Sequence, residues 1–247
     1  MLIGRIEQIV RHPVKSLRGE SVRNTKVMKY GLYGDRSHAY IDETKKGKFL
    51  TITQFPEMVQ YSARFQGEEQ SDIYPRVIVQ TPEGEVLDWN DRQLLNEMGK
   101  KSNREVSTIE YSPSHVPIGP IAEEHLLLVT DASLHKIEEI WGSEIDSRRF
   151  RPNLVLNLND KVPFIEEEWF GKRIRIGNEV EIELVRYCKR CMIITVDPVS
   201  SKRDSSLHKA VIKERNNHFG VYASVIKTGN IQVNDEVHLL QETKNKS

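Results

Sequence analysis

Cys188 and Cys191 are the two cysteines of the chain, and they stand three apart in the stretch Arg186-Tyr187-Cys188-Lys189-Arg190-Cys191. Lys189 and Arg190 lie between the thiols, and positive charge beside a sulfur favours the thiolate, the form that attacks electrophiles and binds soft metals. A structural zinc site needs four ligands. No second cysteine pair accompanies this one, and His208 and His218, ten apart, do not form an obvious ligand pair. A thioredoxin-like redox pair belongs at the end of a strand that opens a helix. Here the β-branched run Ile193-Ile194-Thr195-Val196 follows the cysteines and predicts a strand, with Cys191 where a loop enters a sheet. Two small buried thiols are the remaining reading of the pair.

Basic residues supply the other chemistry. Pro13-Val14-Lys15-Ser16 reads as a turn that places an ammonium beside a hydroxyl, a pairing that holds phosphate; a solvated loop lysine is the alternative. Gly34-Asp35-Arg36 is a tight turn entering a strand, from which Arg36 projects either to a ligand or to solvent. Arg148, Arg149 and Arg151 crowd together just before an apolar run. Three guanidiniums so close require an anion or open solvent, and both remain open.

Short strands at close spacing must position these groups. Leu2 to Val10, Val22 to Met28, Arg36 to Ile41, Val59 to Phe65, Val77 to Thr81 and Val86 to Trp89 suggest a small antiparallel barrel or curled sheet. Asn90 or Asp91 caps a helix from Arg92 to Met98 that Gly99 ends. Pro113, Pro117, Gly119 and Pro120 mark 112–122 as the best linker. Beyond it come an apolar strand, Leu126 to Val129, and a helix capped by Thr130 or Asp131 and stopped by Gly142. A strand over Leu154 to Leu158 and a hairpin from Arg173 to Val185 through Gly177-Asn178 lead to Cys188. A helix capped by Asp204 or Ser205, then strands Gly220 to Ile226, Ile231 to Val233 and Glu236 to Leu240, complete the second half.

The whole chain sets bounds. Its 247 residues allow one large domain or two packed ones. Lys plus Arg and Asp plus Glu are each 36, so no global charge argues for nucleic acid or an anionic membrane. Two cysteines make neither a disulfide scaffold nor an all-cysteine iron–sulfur site. The amino terminus lacks a signal-peptide pattern and no run is apolar enough to span a membrane, so a cytoplasmic protein is expected.

Together with Phe150-Arg151-Pro152-Asn153-Leu154-Val155 and Phe219-Gly220-Val221-Tyr222-Ala223, the cysteine stretch resembles the MOSC family, named for the C-terminal domain of molybdenum cofactor sulfurases. His12-Pro13-Val14-Lys15-Ser16, Gly34-Asp35-Arg36 and Phe49-Leu50-Thr51 resemble the β-barrel domain that precedes MOSC in amidoxime-reducing components and their bacterial relatives. The blocks occur in the family's order over about residues 1 to 241.

The resemblance implies a mixed α/β, β-rich fold: an N-terminal small barrel-like domain over 1–118, a MOSC-type β-barrel with flanking helices over 119–241, and a frayed polar tail at 242–247. It implies a molybdenum–pterin cofactor (molybdopterin) whose metal takes the thiolate of Cys191 as its catalytic ligand, with Cys188 behind it. Lys15, Ser16, Arg36, Arg151, Asn153 and Arg190 are the implied cofactor-binding residues. The implied activity is reduction of the N–O bond of small N-hydroxylated compounds, with electrons from a separate flavin or iron–sulfur protein. A carrier of the cofactor or of sulfur, without turnover, is the alternative, while pyridoxal phosphate is not expected. Ala122-Glu123-Glu124-His125 departs from the family's usual acidic residue and small-residue turn, and Asp197 before Pro198 reads as a turn former as readily as a catalytic acid.

Overall fold

In the strand Leu2–Arg11, Ile3, Ile6 and Ile9 are buried while Arg5, Glu7 and Gln8 face out. That apolar side is one stave of a barrel. In the computed structural model, which describes residues 1–45, 48–121 and 123–240, seven strands follow one another around a closed sheet. Their order is Leu154–Leu158, Leu126–Thr130, His218–Lys227, Val180–Lys189, Arg173–Ile176, Glu236–Leu239 and Leu2–Arg11. The first and last close the ring, with Gly4 opposite Leu158 and Ile9 opposite Leu154. Closure removes the unpaired edges that an open sheet would expose. Ile6, Leu128, Leu156, Ile174, Ile182 and Val221 fill the interior, each fully buried.

One pairing in the barrel is parallel, Leu126–Thr130 with Leu154–Leu158. Parallel neighbours need a crossover, and the helix Asp131–Trp141 supplies it. Thr130 caps that helix by accepting from the Ser133 amide, and Gly142 ends it at φ 82°, where only glycine is unstrained. The capping and stopping residues are those expected from sequence.

The amino-terminal half is built from short sheets around an aromatic core of Tyr33, Tyr40, Phe55, Tyr61, Phe65 and Trp89. The halves are interleaved. The opening strand Leu2–Arg11 belongs to the barrel of residues 126–239, and Gly229–Gln232 pairs with Asn24–Met28. The segment His12–Arg18 therefore crosses between the two cores, held by bridges of Val14 to His38 and of Arg18 to Ser62.

Several sequence expectations are corrected. Ile193 to Val196 is not a strand: Met192–Thr195 is a 3₁₀ turn, while the strand Val180–Lys189 runs up to the cysteines. Ile194 and Val196 are buried in two different cores, and the bridge there, Val196 to Arg203, is isolated, so burial of the apolar side chains rather than a β-ladder sets the conformation. Similarly, Pro56–Gln60 is a 3₁₀ turn and the following strand begins only at Ser62. The helix from Arg92 continues through Gly99 to Ser102, and Asn103 at φ 54° ends it. The tail 242–247 lies outside the described residues.

Candidate functional site

The strand Val180–Lys189 carries Cys188 inward, 2% exposed, and ends just before Cys191, which is exposed at the start of the 3₁₀ turn. Asn217 fixes that turn of chain. Its carbonyl accepts from the Arg190 amide at 2.8 Å, and its side-chain Nδ2 donates to the Arg190 carbonyl at 2.8 Å. His208 Nε2 meets Asn217 Oδ1 at 2.9 Å.

A cavity of about 140 Å³ opens beside Cys191. The seven residues implied from sequence, Lys15, Ser16, Arg36, Arg151, Asn153, Arg190 and Cys191, all lie in its wall. They arrive from separate elements: the crossing segment 12–18, the turn before His38–Asp42, the loop before Leu154–Leu158, and the cysteine loop. Ser16, Arg36 and Arg151 all take left-handed backbone, at φ 71°, 54° and 56°. Each such non-glycine residue costs on the order of 1–3 kcal/mol and persists where surrounding structure imposes it, as it does at binding sites.

Asp35 ties these segments together. Fully buried, it accepts from the His12 amide at 2.7 Å, from Asn153 Nδ2 at 3.1 Å and from Arg36 Nη1. Asn153 Oδ1 in turn accepts from the Leu127 amide at 3.1 Å. The Asn153 amide is thus engaged with the protein at both ends, which makes it a positioning group in the wall. The Arg36 guanidinium also reaches the Arg151 carbonyl at 3.5 Å, and Arg151 Nη2 donates to the Leu17 carbonyl at 3.0 Å.

Burial and the charges of Arg36 and Arg151 pull Lys15 down to about 7. Burial and Arg36 pull Arg151 down to about 9, which leaves it cationic at neutral pH. Like charges held this close in a partly desolvated wall favour an anionic ligand. His12, behind them, is lowered well below the usual imidazole range by burial and then by Arg151, Arg36 and Lys15.

The arginine cluster divides. Arg148 pairs with Asp146, with Nε 2.8 Å from Oδ1, and Arg149 donates to Asp197 Oδ2 at 2.8 Å and to the Ile194 carbonyl at 3.2 Å. Arg151 alone of the three enters the wall beside Cys191. Asp197 Oδ1 accepts from the amides of Val199 and Ser200 at 3.1 and 2.7 Å, closing a turn. Arg190 lines the wall, and its guanidinium bonds Cys188 Sγ and the Phe150 carbonyl, both at 2.8 Å.

Asp35, Tyr222 and Glu124 are participants that sequence reasoning did not assign to the site. Tyr222 packs against Cys188 and lines the wall, and Glu124 enters the wall while paired with Arg186 at 3.0 Å. Glu124 stands in the stretch noted as departing from the family pattern, and Asp35 stands between two motif residues. Either could have been suspected from those neighbours.

Among the described residues, no three of His, Cys, Asp and Glu gather as a metal cluster. A metal at Cys191 would therefore bring most of its ligands with it. The MOSC domain family matches residues 107–238, and the MOSC N-terminal beta barrel domain matches residues 3–112.

The chain belongs to the MOSC family. Its fold is strand-rich with a closed seven-stranded barrel, and the two family models divide it into an N-terminal beta barrel domain and a MOSC domain. The chain is 26% identical to mitochondrial amidoxime-reducing component 1 of Danio rerio, over 96% of this chain and 85% of that protein. It is 33% identical to mitochondrial amidoxime reducing component 2 of Homo sapiens over 46% of this chain and 36% of that one. It is 35% identical to molybdenum cofactor sulfurase of Caenorhabditis elegans over 41% of this chain and 14% of the relative. The YUAD protein of Bacillus subtilis shares the fold, with a TM-score of 0.53 at 12% identity over 97% of this chain and 98% of the other. These MOSC relatives support a molybdenum-related function. No helix among the described residues is long and apolar enough to cross a membrane.

Proposed function

We propose that this MOSC protein binds a molybdenum–pterin cofactor in the cavity beside Cys191 and reduces small N-hydroxylated compounds to the parent amine or amidine. The carrying observation is an exposed thiol at the rim of a wall that holds Lys15, Arg36 and Arg151 together. A soft sulfur for the metal and cations for a phosphate and pterin edge are the donor set such a cofactor needs. The relatives named amidoxime-reducing components support the substrate class.

Cys191 would supply the protein's metal ligand. Lys15, Arg36 and Arg151 would neutralise the anionic end, and the Ser16 hydroxyl would add a hydrogen bond. Asp35 and Asn153 hold these groups in register, and Arg190 is kept at Cys188. When bound, the cofactor supplies the two-electron chemistry that takes oxygen from nitrogen. Two electrons and two protons convert the N–OH group to N–H with release of water. A separate flavin or iron–sulfur protein is the proposed electron source.

Elemental analysis on protein from a cofactor-competent host tests the ligand. Stoichiometric molybdenum is expected in the wild type and in Cys188→Ser, and none in Cys191→Ser; absence from all three overturns the cofactor reading. Turnover of an aromatic amidoxime by chemically reduced protein then tests the activity. Bound molybdenum without turnover would favour a cofactor or sulfur carrier, to which the sulfurase relative also points.

A further inference from the structure

Beside Arg151 lies a second and larger cavity of about 370 Å³. It shares Arg151 and Ile193 with the first but includes neither cysteine. The Arg151 side chain, bonded to the Leu17 carbonyl, stands in the partition. Its volume falls in the range of small-molecule pockets.

The lining has two characters. Val10, Ile52, Val59, Pro152, Ile193 and Val196 form an apolar surface. Arg18, Arg148, Arg149 and Arg151 bring four guanidiniums, against Asp146 in the wall and Asp197 bonded to Arg149 from behind. The charge balance therefore remains positive. Two buried nitrogens make no hydrogen bond. Arg18 donates from Nη2 to the Pro198 carbonyl at 2.9 Å, while its Nε is buried and makes no hydrogen bond. His12 is 3% exposed, and its Nδ1 likewise makes no hydrogen bond, with Asp35 Oδ1 4.0 Å away. Gly19, also in the lining, keeps the space beside that nitrogen open, because a Cβ there would lie 2.7 Å from Nδ1. A buried polar atom without a partner costs about 1–3 kcal/mol, a cost that a ligand hydrogen bond can remove.

We propose that this second cavity binds a small organic anion, its charged head between Arg18 and His12 and its apolar body on Val10, Ile52 and Val59. Arginine offers the fork that a phosphate or carboxylate head fits. The apolar surface distinguishes such a ligand from a bare inorganic ion. The head-group residues Arg18 and His12 are not among those assigned to the cofactor, although Arg151 lines both cavities.

The test is calorimetric titration of the full chain with phenyl phosphate and, separately, inorganic phosphate. Wild type and Cys191→Ser should bind phenyl phosphate equally and inorganic phosphate more weakly. Arg18→Met, which keeps the aliphatic stem, should weaken phenyl phosphate about tenfold, the loss of one charge-assisted hydrogen bond, whereas Arg18→Lys should lose less. Thermal unfolding confirms that each variant is folded. Any of four results overturns the proposal: no binding to the wild type, equal affinity in Arg18→Met, inorganic phosphate binding as tightly as phenyl phosphate, or loss of binding when the protein carries the cofactor. The last would assign the cavity to the cofactor. Molybdenum analysis of Cys191→Ser is unaffected by any of them.

Discussion

Arg190 directs Nη1 to the buried sulfur of Cys188 at 2.8 Å, so the cation nearest Cys191 in sequence serves the other cysteine. A guanidinium can only donate; the Cys188 sulfur is therefore the acceptor. The two cysteines have separate tasks, one anchoring the wall and one presented at the rim.

Removing that acceptor leaves a buried donor unpaired. Cys188→Ala should destabilise the protein by about 1–3 kcal/mol and lower its melting temperature by several degrees. Cys188→Ser retains an acceptor and should lose less. Urea denaturation of both variants checks the order; equal stability of alanine and wild type would show that the contact contributes nothing.

Asp35 is the larger liability. Asp35→Asn removes the charge opposite Arg36 in a fully buried setting and turns one acceptor into a donor. Breaking a buried pair from one side costs about 3 kcal/mol or more, so the variant should unfold at clearly lower denaturant. An unchanged midpoint would refute the hub role given to Asp35.

Lys15 should titrate near neutrality in cofactor-free protein, since burial, Arg36 and Arg151 bring it to about 7. Carbon-13 NMR of lysine side chains would find a resonance with that midpoint, absent in Lys15→Met. Arg151→Gln removes one repelling charge and should move the midpoint up. A Lys15 midpoint near 10 in the wild type would contradict the wall geometry.

Acid should weaken the fold before the carboxylates titrate. Burial lowers His38 to about 4 and lowers His12 as well. Both are neutral when folded, whereas unfolded histidine takes up a proton below about 6.5. Their stabilisation is therefore complete above that pH and is lost as pH falls toward the folded values, by up to ~1.4 kcal/mol per pH unit for each group. Urea denaturation between pH 7 and pH 5 should show this slope, reduced by roughly half in a folded His38→Gln variant. A flat profile in the wild type would contradict it.

Features governed by nearby residues were legible in the sequence. Thr130 and Gly142 bound their helix, Gly177 opens the hairpin turn, and Leu154 to Leu158 is a strand, because caps, turns and apolar runs act within a few residues. The motifs also named the residues that share the cavity beside Cys191. Tertiary structure alone decided that Leu2–Arg11 closes the distant barrel, that Ile193 to Val196 coils to bury side chains in two cores, and that Arg190 bonds Cys188. Asp35 was likewise visible as a turn residue but not as the buried acceptor that joins His12, Arg36 and Asn153. These outcomes depend on partners remote along the chain, and the free energy of burial and of satisfying buried polar groups overrides local preference.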